Sequence, residues 1–379
     1  MEKNNIAQKK DHLLGMPPVL STRALNRALL ARQMLLTRVN LPVLEAIKRL
    51  VGIQAQDPNA PYFTLWTRIE EFRPEDLSSL IQDKKVVRLS LMRSTIHLVS
   101  SQDSLSLRPL VQPVQESVLK SSFGKALNGL DVQAVVDTGR SLIETNPLTF
   151  SELGKQLNAK WPDVDSAALA AVIRTFVPLV QLPPRGLWGM SGQAIHTSSE
   201  AWLGNLPFLN LTINDLILRY LAVFGPATIQ DIQVWSGLTK LKEKVEQLRP
   251  QLTIFHDDQG NELFDIPDAP RPDQNILPPP RFLGGFDNIL LSYADRKRII
   301  EDEYRNKVFT KNGIIKPTIL IDGFVSGTWK VQKEKGSLRL MIELFKKLPS
   351  EELKALTKEG TQLLDFIAGR ESSHVIQFF

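Results

Sequence analysis

The chain contains no cysteine. That absence removes disulfide staples, thiol nucleophiles and thiolate metal sites together, and it fits a reducing compartment without requiring one. Long apolar runs are missing as well. No stretch approaches the roughly 18 consecutive apolar residues of a membrane span, and the start, Met1 to Asp11, is polar with no apolar signal-like segment. A cytoplasmic protein with no membrane partner is expected, with residues 1–18 forming a flexible tail. Histidine is scarce: His12, His97, His196, His256 and His374 are scattered singly, which is no pattern for a metal ligand set. Neither a metal nor a cofactor is expected.

What is present is an ordinary globular composition, 42% hydrophobic and 23% charged over 379 residues, enough for two or three domains. The net charge of +5 hides a segregation. Residues 1–50 hold nine Lys/Arg against three Asp/Glu, and residues 292–348 hold thirteen against seven. The remainder is net negative. Two basic segments far apart in sequence suit a polyanion held between them if they converge in space; plain solvated basic surface is the competing reading.

Local signals are helix-rich. Ser21 is a good N-cap for a helix over residues 21–37, with Leu25, Leu29 and Leu36 spaced for burial and Arg23 and Arg27 one turn apart on another face. Pro42 opens a second helix that stops at Gly52, and residues 62–71 read as a third. Residues 86–100 follow as two short strands. Three helices and a hairpin are the order of a winged helix. The order returns twice: helices over 132–144, 149–158 and 165–178 precede a hairpin within 180–197, and helices over 214–224, 228–235 and 240–248 precede strands at 252–255 and 263–266. Thr228 and Asp231 stand at capping-box spacing. Residues 267–280 hold six prolines, a stiff linker. Beyond it, the pattern is α+β, with a hairpin turned at Asp322-Gly323 and a helix over 351–367. The expected units are 19–120, 121–205, 206–266, the linker 267–280, and 281–379.

Gln54-Ala55-Gln56-Asp57-Pro58 stands just past the second helix. In an extended segment, side chains alternate, so both amides would share one face with Ala55 opposite. The alternative is a polar strand end whose amides satisfy backbone groups, and Asp57 before Pro58 reads most simply as a turn residue.

Motifs from residue 20 to residue 329 resemble the winged-helix DNA-binding proteins that include the AlkZ-like DNA glycosylases. They include Leu20-Ser21-Thr22-Arg23, Arg27-Ala28-Leu29-Leu30-Ala31-Arg32-Gln33, the Gln-x-Gln stretch with Leu65-Trp66, and Arg93-Ser94-Thr95-Ile96-His97-Leu98. Further on are Pro183 to Gly189 with Ser191-Gly192, Trp202-Leu203-Gly204, Arg219-Tyr220-Leu221 with Phe224-Gly225-Pro226-Ala227, Arg281-Phe282-Leu283 with Phe286-Asp287-Asn288, and Asp322-Gly323-Phe324-Val325 with Gly327-Thr328-Trp329. The resemblance implies three tandem winged helices arranged as a C around duplex DNA, with an α+β C-terminal region. It also implies that Gln54 and Gln56 carry catalysis. Three departures stand out: Ser94 in place of Gly, Tyr293 in place of His, and Gly284-Gly285 in place of Pro-Glu.

A glutamine amide has no useful pKa, but it can hold a water near the anomeric carbon. That suffices only when the base already leaves readily, as a purine alkylated at N7 does because it is cationic before the bond breaks. The expected partner is therefore alkylated double-stranded DNA, bound by a monomer, and the expected activity is hydrolysis of its N-glycosidic bond. A non-catalytic winged-helix binder or transcriptional regulator remains the alternative, and a protein that sequesters damaged DNA is a third. For DNA contact, the candidates are Arg23 and Arg27; Arg93 and His97, four apart on one expected strand; Arg185 and Trp188 on a Pro/Gly-framed hairpin, as phosphate anchor and apolar wedge; and the run Arg296, Lys297 and Arg298. The competing readings are a satisfied core histidine for His97, which its apolar neighbours favour, core filling for Trp188, and a solvated helix face for residues 296–298.

Overall fold

The computed structural model describes residues 17–334, 337–368 and 373–379; most of the expected N-terminal tail, residues 1–16, lies outside them. Residues 17–20 are tied down. Strand β1 (Val19–Leu20) pairs in parallel with a strand more than 230 residues later.

Helix α1 (Thr22–Arg32) starts where the Ser21 hydroxyl accepts the Ala24 N–H at 3.1 Å. It ends earlier than residue 37, at a turn in which Met34 takes a positive φ. Helix α2 (Val43–Arg49) ends three residues before Gly52: Val51 takes the left-handed cap position at φ +54°, and Gly52 follows at φ +86°, where a side chain would be strained and a Cβ would sit 2.4 Å from Val99. Then come β2 (Ile53–Gln54), α3 (Ala60–Trp66), α4 (Pro74–Gln82), β3 (Val86–Ser90), a 3₁₀ turn at Met92–Ser94 and β4 (Ile96–Ser100).

Helices α5 (Ser101–Leu110), α6 (Gln112–Phe123) and α7 (Val132–Thr145) lead to β5 (Leu148–Thr149), α8 (Phe150–Asn158), α9 (Ser166–Phe176), β6 (Leu179–Gln181), β7 (Ile195–Ser198) and α10 (Ser199–Leu203). Next are α11 (Ile213–Phe224), α12 (Ile229–Ser236), α13 (Lys242–Leu248), β8 (Thr253–Asp257) and β9 (Glu262–Asp265). The Thr228–Asp231 capping box forms as its spacing predicts. The last stretch holds β10 (Arg281–Leu283), α14 (Arg305–Val308), β11 (Thr318–Ile321), β12 (Phe324–Glu334), β13 (Ser337–Leu344), α15 (Ser350–Ala368) and β14 (Ser373–Phe378).

The architecture is mixed α+β, with three sheets among the described residues. The first two hairpins join edge to edge: β3 pairs with β6 through Arg88 opposite Gln181 and Leu89 opposite Val180, giving a six-stranded sheet ordered β2-β4-β3-β6-β7-β5. No local pattern announces that pairing. Strands β1, β8 and β9 make the second sheet, and β10 to β14 the third in sequence order. Residues between Leu119 and Leu179 pack a core of their own, while the main core runs from Leu29 to Leu364. Among the described residues, no helix is long and apolar enough to cross a membrane.

Buried ion pairs lock the N-terminal segment to distant ones. Arg32 makes two contacts of 2.7 Å to Asp265, and Arg68 two of 2.9 Å to Asp287, with all four side chains at most 1% exposed. The two basic segments do meet: Asn26 donates to the carbonyls of Arg298 and Gly323, both at 2.8 Å, and Asp322 takes both Arg23 and Arg27.

Candidate active site

The backbone of the Gln-x-Gln stretch is pinned on both sides. Toward β4, Gln54 stands opposite His97, and the Ala55 N–H donates to the Ile96 carbonyl at 2.7 Å. On its other edge β2 has no strand neighbour among the described residues, and the Asn288 side chain stands in for one. Its Oδ1 accepts the Gln54 N–H at 3.3 Å, and its Nδ2 donates to the Gly52 carbonyl at 2.9 Å. Asn288 is placed in turn by Asp287, which accepts the Ile289 N–H and holds Arg68. From a third direction, Arg88 Nη2 donates to the Ala55 carbonyl at 2.8 Å.

Gln54 itself is 4% exposed, and its Oε1 accepts from Arg93 Nη2 at 2.7 Å. Arg93 is a correction to the sequence reading. It does not share a strand with His97 but lies in the 3₁₀ turn between β3 and β4, at φ +55°, so the two side chains are not aligned. Its other nitrogen, Nη1, makes a very short contact to the Trp235 carbonyl at the end of α12, where the unpaired carbonyls of a helix favour a cation. Gly237 allows this approach: a Cβ there would stand 3.2 Å from the Arg93 backbone. Arg93 has no carboxylate partner among the described residues. Burial, and then the Arg296 charge, push its pKa down to about 10.

Gln56 does not share Gln54's environment. It lies past the end of β2 and is exposed, and its Oε1 accepts the Ile96 N–H at 3.3 Å. Asp57 behaves as the turn residue its neighbours suggest, accepting the Asn59 N–H at 2.9 Å. The His97 ring is fully buried, with Nδ1 2.9 Å from the Thr95 carbonyl. Burial, and next the Arg93 charge, lower its pKa to about 3, so it is neutral at physiological pH.

The remaining DNA-contact candidates divide by their partners. Arg27 is buried on Asp322 and the Ile276 carbonyl, and Arg23 makes a paired contact to Asp322. Arg298 is buried, donates to the Pro226 carbonyl and lies over the Tyr293 ring. Trp188 packs between Tyr62, Phe63 and Phe366 as core filling rather than as a projecting wedge. Arg185 holds the Gly192 carbonyl. Lys297 is exposed, 3.6 Å from Asp302. Arg296 lies over the Phe309 ring, and its buried Nε has no hydrogen-bond partner among the described residues. No group of three or more acidic or histidine side chains among the described residues is arranged to hold a metal ion.

The profile of the family described as "DNA glycosylase AlkZ-like" matches residues 47–366. The chain belongs to the AlkZ-like DNA glycosylase family. An interstrand DNA cross-link repair glycosylase of Streptomyces sahachiroi is 23% identical over 355 residues, covering 88% of this chain and 92% of the relative. The solved structure of Streptomyces sahachiroi DNA glycosylase AlkZ superposes with a TM-score of 0.77 at 21% identity, over 95% of this chain and 100% of that one; the fold is shared.

The three departures from the AlkZ-like pattern now have places. Ser94 has a φ of +56°, a backbone state that glycine adopts without cost, and its hydroxyl donates to Gln115 Oε1 at 2.8 Å. Tyr293 is wholly buried, its hydroxyl donating to the Phe224 carbonyl at 2.6 Å, and burial raises its pKa. Gly284 abuts α3, where a Cβ would lie 3.1 Å from the Ala60 carbonyl oxygen. Sequence reasoning assigned no chemistry to Asp287-Asn288 and overlooked Arg68 and Arg88. The one available signal was a polar pair inside an apolar neighbourhood.

Proposed function

We propose that this AlkZ-like chain hydrolyses the N-glycosidic bond of N7-alkylated purines, bulky or cross-linked, in duplex DNA. Three winged-helix units, 19–120, 121–205 and 206–266, and the region 281–379 beyond the linker 267–280 form a C around the duplex. Gln54 and Gln56 place the water. The observation that carries this reading is a rigidly framed amide whose described neighbours offer no proton-transfer group: Gln54 is pinned by Asn288 and Arg93, and His97 is held neutral. Such a site supplies position but no proton transfer, which matches a base that is already a good leaving group. Arg93 is engaged by Gln54 and the Trp235 carbonyl, whereas Arg296, whose charge acts on Arg93, has no carboxylate partner among the described residues and is suited to DNA phosphate. Arg296, Lys297 and Arg185 are the proposed phosphate contacts, because their guanidinium or ammonium groups remain nearest to free.

The test separates catalysis from binding. Gln54→Ala and Gln56→Ala should lose turnover on N7-methylguanine duplex while retaining most of the affinity for it. A change in affinity alone, with no turnover in the unaltered protein, identifies a non-catalytic binder instead.

A further inference from the structure

Gln54 has two polar ends, and its surroundings tell them apart. A guanidinium has donors and no acceptor, so the amide atom facing Arg93 is the oxygen, free of the usual ambiguity in amide orientation. Nε2 has no protein partner among the described residues, and it is not among the sealed buried atoms that lack one, so it reaches solvent. Gln56 repeats this more loosely, its oxygen turned to the Ile96 N–H.

Arg93 is itself held with care. Both Arg93 and Ser94 take left-handed backbone, a conformation costly for residues with a side chain. Buried Gln115 from α6 stabilises it: Oε1 accepts from the Ser90 and Ser94 hydroxyls at 2.9 and 2.8 Å, and Nε2 donates to the Leu91 carbonyl at 2.7 Å. Arg174 from α9 donates to the Ser94 carbonyl at 2.8 Å. A turn kept in this state by two helices points one guanidinium at one amide oxygen.

We infer that Arg93 is a positioning residue that holds the Gln54 carbonyl inward, so that Gln54 meets the reaction as a hydrogen-bond donor. The inference rests on the glycosylase reading above. Through Nε2, Gln54 grips the water at one lone pair and leaves the other for C1′. The C1′–N9 bond breaks with its electron pair departing on the cationic purine, which becomes neutral. Water adds at C1′, and the surplus proton passes to solvent. With no proton acceptor at work, only lesions that depart unaided are substrates.

Single-turnover excision from N7-methylguanine duplex tests this. If the unaltered protein makes no abasic sites, the glycosylase reading itself fails. If it is active, Gln54→Glu decides the donor role, since it keeps oxygens toward Arg93 but lacks the NH2. The excision rate should fall to the Gln54→Ala level, about 100-fold or more down. Arg93→Met should slow excision about 10-fold or more with DNA affinity within about twofold, add no loss in a Gln54→Ala background, and be partly restored by lysine. A Gln54→Glu rate at or above that of the unaltered protein, or a full additional loss from Arg93→Met in the Gln54→Ala background, overturns the inference. Should Arg93→Met not fold, Arg93→Lys and Gln54→Glu carry the comparison.

Discussion

The Asn288 side chain takes the place of a strand beside Gln54, accepting its N–H at 3.3 Å while donating to the Gly52 carbonyl at 2.9 Å. The candidate catalytic residue thus sits on an edge strand completed by one amide from 234 residues away.

Asn288→Ala should therefore orphan a buried donor and a buried acceptor, at about 1–3 kcal/mol each. Denaturant unfolding should show a loss of about 2 kcal/mol or more, with slowed excision and DNA affinity nearly unchanged. A loss of affinity equal to the loss of rate would place Asn288 in the DNA interface instead.

Asp287→Ala should be worse, because it strands the buried Arg68 guanidinium. Removing one partner of such a pair costs about 3–5 kcal/mol. Replacing both, as Arg68→Met with Asp287→Leu, should recover most of that stability in the same unfolding measurement.

Acid should destabilise the fold early. Unfolded histidine binds its proton near pH 6.5, whereas burial holds His97 at about 3 and His196 at about 4. Below pH 6.5 the unfolded state binds more protons, so stability present above that pH is lost as it falls toward 4. Melting temperatures from pH 7.5 to 4.5 should drop, and His97→Gln should flatten the profile. An unchanged slope in that variant would contradict the buried neutral assignment.

DNA affinity should fall steeply with salt. Arg296→Ala and Lys297→Ala should each reduce the slope of log K against log salt by about 0.9. Arg27→Ala should leave the slope alone and lower stability, because Arg27 is buried on Asp322. A shallower slope in Arg27→Ala would return that residue to the interface.

What could be read from the residues was local. The Ser21 cap, the Thr228–Asp231 box and the Asp322-Gly323 turn depend on side chains a few positions apart, and each appears where expected. The joining of β3 to β6, the Arg68–Asp287 pair and the grip of Asn288 on Gln54 connect residues tens to hundreds of positions apart. Local periodicity carries no information about such partners. Arg93 shows the difference at one residue: its charge was legible, but the left-handed turn that aims it at Gln54 depends on Gln115 and Arg174, which only the folded chain brings there.

The most direct measurement of the central claim is the yield of abasic sites from duplex DNA carrying a single N7-methylguanine, compared with undamaged duplex. Abasic product from the lesion alone, lost in Gln54→Ala, is the predicted result. Intact DNA binding with no abasic product from this or any other N7 adduct would contradict it.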